Sequence, residues 1–236
     1  TNDDTVTVLA KKNGGKASAL NYGIAACRSE YVVCIDADTQ LKNDAVSRLM
    51  KHFIADTEKR VGAVAGNVKV GNQRNMLTYW QAIEYTSSQN FDRMAYSNIN
   101  AVTVVPGAIG AFRKEVIEAV GGFTTDTLAE DCDLTMSINE HGYIIENENY
   151  AVAMTEAPET LRQFVKQRIR WCFGVMQAFW KHRSSLFAPS KKGFGLWAMP
   201  NMLIFQYIIP TFSPLADVLM LIGLFTGNAL QIFFYY

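Results

Sequence analysis

The sequence predicts an α/β domain with a mostly parallel sheet, followed by an amphipathic interface helix and a membrane-crossing helix. Three observations predict the domain. A strand, a glycine turn and a helix succeed one another near the N-terminus. A continuously apolar strand ends abruptly in an acidic turn. Helices and strands then alternate, the pattern of a sheet whose ligands gather at the carboxyl ends of its strands.

Residues 1–5 read as a loop entering a β-branched strand at 6–10, and "KKNGGK" turns that strand into a helix running through Cys27. "YVVCI" at 31–35 has the unbroken apolar character of a strand buried on both faces. It stops at "DADT", which places Asp36 and Asp38 at a strand's carboxyl end. A helix over 43–54, a strand over 61–70 and a long helix over 76–97 follow. "AVTVVPGAIGAFR" supplies two short strands around Pro106 and Gly107, since proline and glycine exclude a central pairing there. A helix begins at Lys114 and ends at Gly121 and Gly122. Another begins near Glu130, with Gly142 as its stop. Residues 160–182 form a long basic amphipathic helix suited to a membrane interface. The tail holds a membrane-crossing helix over about 196–225, interrupted by Pro200, Pro210 and Pro214, each of which removes a backbone hydrogen bond.

Composition narrows the class. Of 236 residues, 49% are hydrophobic, 12% aromatic and 19% charged, which excludes a disordered or collagen-like chain. Equal numbers of basic and acidic residues, 22 of each, argue against a nucleic-acid binder. The balance hides a segregation. Residues 1–156 carry 14 basic and 20 acidic side chains, residues 157–192 carry eight basic against Glu159 alone, and residues 193–236 carry only Asp217. An acidic globular part, a basic collar and an uncharged apolar tail is the order expected of a domain docked on an anionic cytoplasmic leaflet and anchored there. The domain boundaries follow: 1–157, 158–192 and 193–236. The four cysteines form no C-x-x-C pair, so neither a disulfide framework nor a zinc site is expected. With no initial Met and a last stretch, "ALQIFFYY", that lacks a polar exit, the chain reads as a piece cut at both ends.

Four constellations carry chemistry. Asp36 and Asp38, flanking Ala37, offer hard oxygen ligands to one Mg²⁺ or Mn²⁺, although a lone D-x-D also reads as a capped turn. Glu130, Asp131 and Asp133 open a helix, where acidic residues suit the dipole and where Asp131 would also suit a general base. Gln167, Arg170 and Trp171 fall at i, i+3 and i+4, so an amide, a guanidinium and an indole share one helical face. That trio can hold a diphosphate and stack on a sugar ring, or simply anchor an interfacial helix. Lys16, behind Gly14 and Gly15 at a helix start, would add a point charge to exposed N–H groups, without the spacing of a Walker A motif.

In order, "NGGKASALN", "DAD", "PGAIGAFR", "GGF…TLAEDCDL" and "QRIRW" resemble the membrane-bound family 2 glycosyltransferases with a GT-A fold. The similarity points to the processive synthases of poly-N-acetylglucosamine, hyaluronan, chitin and cellulose. It implies that Lys16 and Asp36 contact the nucleotide and that Asp38 ligates the metal bridging the sugar-nucleotide diphosphate. Asp131 would take the proton of the acceptor hydroxyl in an inverting displacement. Gln167, Arg168 and Arg170 would clamp the diphosphate, and Trp171 would line the acceptor site. Gly107 and Ala108 would shape the pocket of the terminal acceptor sugar, where "PGA" replaces the Cys-Gly-Ser of some cellulose synthases. The family's opening segments of the type "VSVIIPAYNE" and "DDGS", which bind the base, do not occur in this sequence.

The resemblance therefore implies transfer of a hexose or N-acetylhexosamine, from UDP-N-acetylglucosamine or UDP-glucose, to a growing polysaccharide at the cytoplasmic membrane face. It leaves room for an accessory membrane subunit. Two alternatives stand beside this reading: a non-processive transferase using a lipid-linked acceptor, and a non-catalytic membrane scaffold partnering an active synthase.

Overall fold

A computed structural model describes residues 6–225 of the chain. The loop expected at 1–5 and the run "ALQIFFYY" lie outside the described residues.

Five strands form one sheet in the order β1 (Tyr31–Cys34), β4 (Gly110–Arg113), β3 (Val61–Val70), β5 (Ile144–Thr155), β2 (Gln40–Leu41). The expected parallel sheet is corrected to a mixed one, since only β3 and β5 run parallel and the other three pairings are antiparallel. The physical reason lies in β4. Its first residue, Gly110, pairs with Cys34, the last residue of β1, and its last residue, Arg113, pairs with Tyr31. The chain therefore turns over the carboxyl end of β1 and runs back down the sheet. Of the two strands expected around Pro106, only β4 forms. Residues 101–105 are irregular, yet Ala101, Val102 and Val105 are buried.

Nor is residues 6–10 a strand. A β-branched run becomes a strand only when its N–H and C=O groups find a ladder, and this one has no sheet partner among the described residues. Val6 and Val8 stand exposed. In β1 burial alternates instead of being continuous, because β1 is an edge strand.

Helices cover the sheet on both faces. On one, α1 (Gly15–Ala26), α5 (Lys114–Ala119) and α6 (Glu130–Glu140) bury Ile24, Ile117, Leu134 and Ile138 against Val32, Ala63 and Phe112. On the other, α2 (Ala45–Ala55) presents Ala45, Leu49 and Phe53, spaced i, i+4 and i+8, to Val61, Val64 and Ala153. The expected helix over 76–97 is continuous but not uniform. α3 (Met76–Glu84) and α4 (Asp92–Ser97) are joined by a π-helical stretch, Tyr85–Phe91. Gly142, at φ +84°, ends the α6 segment in the left-handed region that glycine tolerates best.

α7 (Leu161–Lys181) is the basic helix, with Thr160 as its N-cap. Beyond it the helix from Phe194 to Gly223 is the one among the described residues long and apolar enough to cross a membrane, with a mean hydropathy of 1.4 and little of it buried. Pro200 and Pro210 widen it instead of breaking it, and Pro214 lies inside the α-helical stretch that follows. The carbonyls that the rings of Pro200 and Pro210 would strike, four residues back at Leu196 and Gln206, both lie in π-helical stretches (Phe194–Ala198 and Leu203–Ile208), between and after which run α8 (Met199–Met202) and α9 (Ile209–Phe225). The start of this helix is anchored, because Phe194, Ala198, Met199 and Met202 pack with Cys132 and Met136 of α6 and Phe179 of α7.

Candidate active site

Antiparallel pairing of β1 with β4 sets the site. The turn after β1 closes with Thr39 N–H donating to the Asp36 carbonyl at 3.1 Å, and the turn before β4 closes with Ile109 N–H donating to the Pro106 carbonyl at 3.1 Å. Both turns therefore sit over the same sheet end, and Gly107 lies against Asp36. A Cβ at Gly107 would strike the Lys16 ammonium and reach the Asp36 carboxylate. Lys16, in the first turn of α1, stands 2.5 Å from Asp36 Oδ1 and 3.3 Å from Glu130 Oε1. Asp131 follows at the start of α6, its Oδ1 accepting the Cys132 N–H at 2.8 Å. Pairing of Gln40 with Met154 brings the other end of the acidic turn to the end of β5, where Thr155 Oγ1 donates to Asp38 Oδ1 at 3.3 Å.

These groups open on a cavity of about 830 Å³. Lys16, Asp36, Asp38, Gly107, Ala108 and Asp131 line it from the domain, and Gln167, Arg170 and Trp171 line it from α7. The structure thus brings nine of the ten sequence-predicted residues to one cavity. Arg168 is the exception. Its guanidinium makes two bonds to the Glu84 carboxylate, at 2.5 and 2.6 Å, and lies 4.7 Å from the centres of both the Phe164 and the Trp171 rings. The helical period explains this, since Arg168 is one residue round from Gln167 and so points at α3.

Two features of the cavity are unsatisfied by the protein. The Gln167 amide oxygen is buried with no hydrogen-bond partner among the described residues. Arg93, on α4, is buried and lines the cavity, but among the described residues its guanidinium makes a single long hydrogen bond, 3.4 Å to the Gly66 carbonyl. Burial pulls its pKa down to about 10, against the attraction of Asp131. Sequence reasoning missed Arg93, and Tyr85 and Gln89 beside it on the π-helical stretch, because a charged residue on a polar-apolar helix reads as surface. An interior arginine without a carboxylate has no signal in sequence.

The same environment tunes the carboxylates. Burial raises the pKa of Asp131 above the ordinary carboxylate range, and the charge of Glu130 adds to it, with Lys16 and the N–H groups of Cys132 and Gly107 opposing. Lys16 moves up: burial works against its charge, but the Asp36 hydrogen bond and the charges of Asp36, Glu130 and Asp131 outweigh it.

A family model described as Glycosyl transferase family group 2 matches residues 31–236. The chain belongs to this family of glycosyltransferases. Among curated proteins, the poly-beta-1,6-N-acetyl-D-glucosamine synthase of Staphylococcus aureus is 35% identical over 73% of this chain and 42% of its own length. That of Staphylococcus epidermidis is 33% identical over 76% of this chain and 44% of its own. The chain thus spans less than half the length of these relatives. Among solved structures, a mannosyltransferase from Pyrobaculum calidifontis in complex with GDP-Man and Mn²⁺ superposes with a TM-score of 0.58 at 26% identity, covering 94% of this chain and 61% of that one. The fold is therefore that of a GT-A glycosyltransferase.

For this glycosyltransferase, a divalent cation fits the donor set. No group of three or more His, Cys, Asp or Glu side chains among the described residues would cage a metal alone. Asp38 is exposed to the cavity, with one oxygen engaged by Thr155. A single carboxylate, with phosphate oxygens and water completing the shell, is the way Mg²⁺ is commonly held beside phosphates.

Proposed function

We propose that the chain is the catalytic part of an inverting glycosyltransferase. It moves a hexose or N-acetylhexosamine from a nucleotide-diphospho-sugar, UDP-N-acetylglucosamine or UDP-glucose, to the end of a growing polysaccharide. One observation carries the reading: Asp36, Asp38 and Asp131 share a single cavity with Gln167, Arg170 and Trp171. Carboxylates, cations and an aromatic face are what a sugar, its acceptor and a diphosphate need together.

In this reading Asp131 accepts the acceptor's hydroxyl proton, and a pKa raised by burial above the usual carboxylate range makes its carboxylate a stronger base. The acceptor oxygen then attacks the anomeric carbon from the side opposite the diphosphate. Arg170 and Arg93 line the cavity, and their positive charge stabilises the departing diphosphate. Asp38 would hold Mg²⁺ or Mn²⁺, whose charge assists that departure. Gly107 and Ala108 shape the floor for the acceptor sugar, with Trp171 and Tyr85, 6.5 Å apart between ring centres, as its stacking wall. The helix from Phe194 to Gly223 and the basic α7 support a site at a membrane surface, facing the cytoplasm. The similarity to poly-N-acetylglucosamine synthases supports that polymer as acceptor, and the apolar helix supports a lipid membrane as partner.

The test is nucleotide release by the full-length parent protein in membranes, given UDP-N-acetylglucosamine, UDP-glucose or GDP-mannose with Mg²⁺ or Mn²⁺. Asp131→Asn is expected to lower release by about 10²- to 10⁴-fold, the usual worth of a positioned base. Release unchanged by that substitution would remove Asp131 from the chemistry.

A further inference from the structure

The two walls of the cavity belong to different helices, α6 with Asp131 and α7 with Gln167, Arg170 and Trp171. Their separation decides whether base and substrate meet. Beside the apolar packing of Cys132 and Met136 on Phe179, two polar or close contacts bear on it. At the start of α6 the backbones approach so closely at Gly174 that a Cβ there would strike the Ala129 backbone. Further along, an ionic cluster joins the interior of α6 to the end of α7.

Asp133 is the centre of that cluster and is wholly buried. It accepts hydrogen bonds from Thr124 Oγ1 at 2.5 Å and Lys181 Nζ at 2.9 Å, and His182 Nε2 lies 3.0 Å away. The other ring nitrogen of His182, Nδ1, lies 2.7 Å from Glu140 Oε2. Glu140 in turn accepts from Ser185 Oγ at 2.5 Å, and its carbonyl accepts from the Lys191 ammonium. Lys181 also reaches Asp126 at 3.1 Å. With a carboxylate at each ring nitrogen, His182 is an imidazolium donating in both directions.

We infer that Asp133, His182 and Glu140 are positioning residues, which hold the helix bearing Asp131 in register with the helix bearing Gln167, Arg170 and Trp171. This rests on the sugar-transfer reading above. A buried ionic group is poor value as pure stabilisation, because desolvation offsets most of the attraction. What it adds over apolar packing is direction. Asp133 sits two residues from Asp131 in the same short helix, so a shift of α6 is a shift of the base. A displacement of about 1 Å at a reacting group can cost about 10²-fold.

The charge state supports the geometry. Burial disfavours the imidazolium, but the hydrogen bonds to Asp133 and Glu140 prevail and lift the His182 pKa to about 9. Burial would raise Asp133, yet its bonds from His182, Thr124 and Lys181 hold it down at about 2. A group whose folded pKa is raised contributes fully below its ordinary value and loses that contribution as pH rises through the folded one. The clamp is therefore intact at neutral pH and releases above about 9. Among its neighbours, Lys181 is raised above the ordinary lysine value: burial opposes, and the bonds to Asp133 and Asp126 prevail. Glu140 is lowered: burial opposes, and the bonds from His182 and Ser185 prevail. Thr124 and Ser185 do not ionise, and Asp126 is lowered by the hydrogen bonds from Thr124 and Lys181.

The experiment compares full-length wild type with His182→Gln and His182→Lys, using UDP-N-acetylglucosamine and Mg²⁺ as the probe. For His182→Gln, kcat is expected to fall about tenfold with the donor KM within about twofold, and the fall in wild-type kcat above about pH 9 to disappear. His182→Lys keeps a cation between the two carboxylates, so it retains kcat but also loses the alkaline fall. A kcat equal to wild type in His182→Gln, an alkaline fall that persists in both variants, or a KM that rises in step with lost thermal stability overturns the proposal. Hydrogen exchange of residues 130–140 reads the clamp without any turnover. Faster exchange there in His182→Gln, with β3 unchanged, is the expected result, and unchanged exchange in α6 overturns the clamp. A wild type that transfers no sugar would count against the functional reading alone.

Discussion

Two arginines are buried among the described residues, Arg113 at the Tyr31 end of β1 and Arg93 at the cavity beyond its Cys34 end, and the contrast between them separates what holds the fold from what awaits a ligand. Arg113, at the end of β4, is 1% exposed and makes four hydrogen bonds. It pairs with Asp56 and Glu30, both at 3.3 Å, donates to the Val61 carbonyl and the Tyr31 hydroxyl, and lies over the rings of Tyr31 and Phe53. Arg93, 8% exposed, has one carbonyl at 3.4 Å and a cavity. A guanidinium carries five N–H donors, so the first is satisfied by protein and the second is not. Buried charge left uncompensated is costly. Its presence over the cavity is understandable if a substrate's anionic group completes it.

The largest effect expected from this comparison is on stability at Arg113. Arg113→Ala would leave Asp56, itself nearly buried, without its cation, and the loss should be about 3–5 kcal/mol. Thermal melting of the full-length protein measures it. Whatever remains folded should bind donor with an unchanged KM, because no residue of the Arg113 cluster is among those lining the cavity. A melting temperature equal to wild type would mean that the cluster is ornamental.

Arg93→Gln should show the reverse signature. Removing a buried charge that has one long hydrogen bond among the described residues relieves desolvation, so the melting temperature should hold or rise. Sugar transfer should fall by about 10²-fold, the scale for losing one preorganised electrostatic contact to developing charge. Measuring both on one preparation sharpens the comparison. Lost stability with normal turnover per folded molecule would place Arg93 with Arg113, among the groups that hold the fold.

Much of this was legible in sequence because the informative residues sit at element ends. Asp36 and Asp38 are marked by the stop of an apolar strand, Asp131 by a helix start, and Gln167, Arg170 and Trp171 by helical spacing, and all of them line the cavity. Pairing direction was not legible. Nothing in "PGAIGAFR" says that β4 would insert between β1 and β3 and reverse the sheet, yet that reversal is what lays Gly107 on Asp36. Residues 6–10 have strand composition, but a strand also requires a neighbour, and composition cannot supply one. The ionic cluster at Asp133 was equally hidden. Acidic residues in a first turn satisfy the dipole by themselves, and only the fold shows His182 arriving from 49 positions away.

Arg168 carries the smallest expected effect and tests the boundary between the two kinds of region. It lies next to Gln167 in the sequence motif but pairs with Glu84 outside the cavity, both side chains partly exposed. If it belongs with the packing contacts, Arg168→Lys should cost only about 1 kcal/mol, because solvent screens the pair, and should leave the donor KM within about twofold. The bidentate geometry and the contact with Trp171 keep the cost from being nil, since lysine has neither the fork nor the flat face. A severalfold rise in donor KM at unchanged stability would instead show that Arg168 leaves Glu84 for the diphosphate when substrate binds, making Glu84 its resting partner.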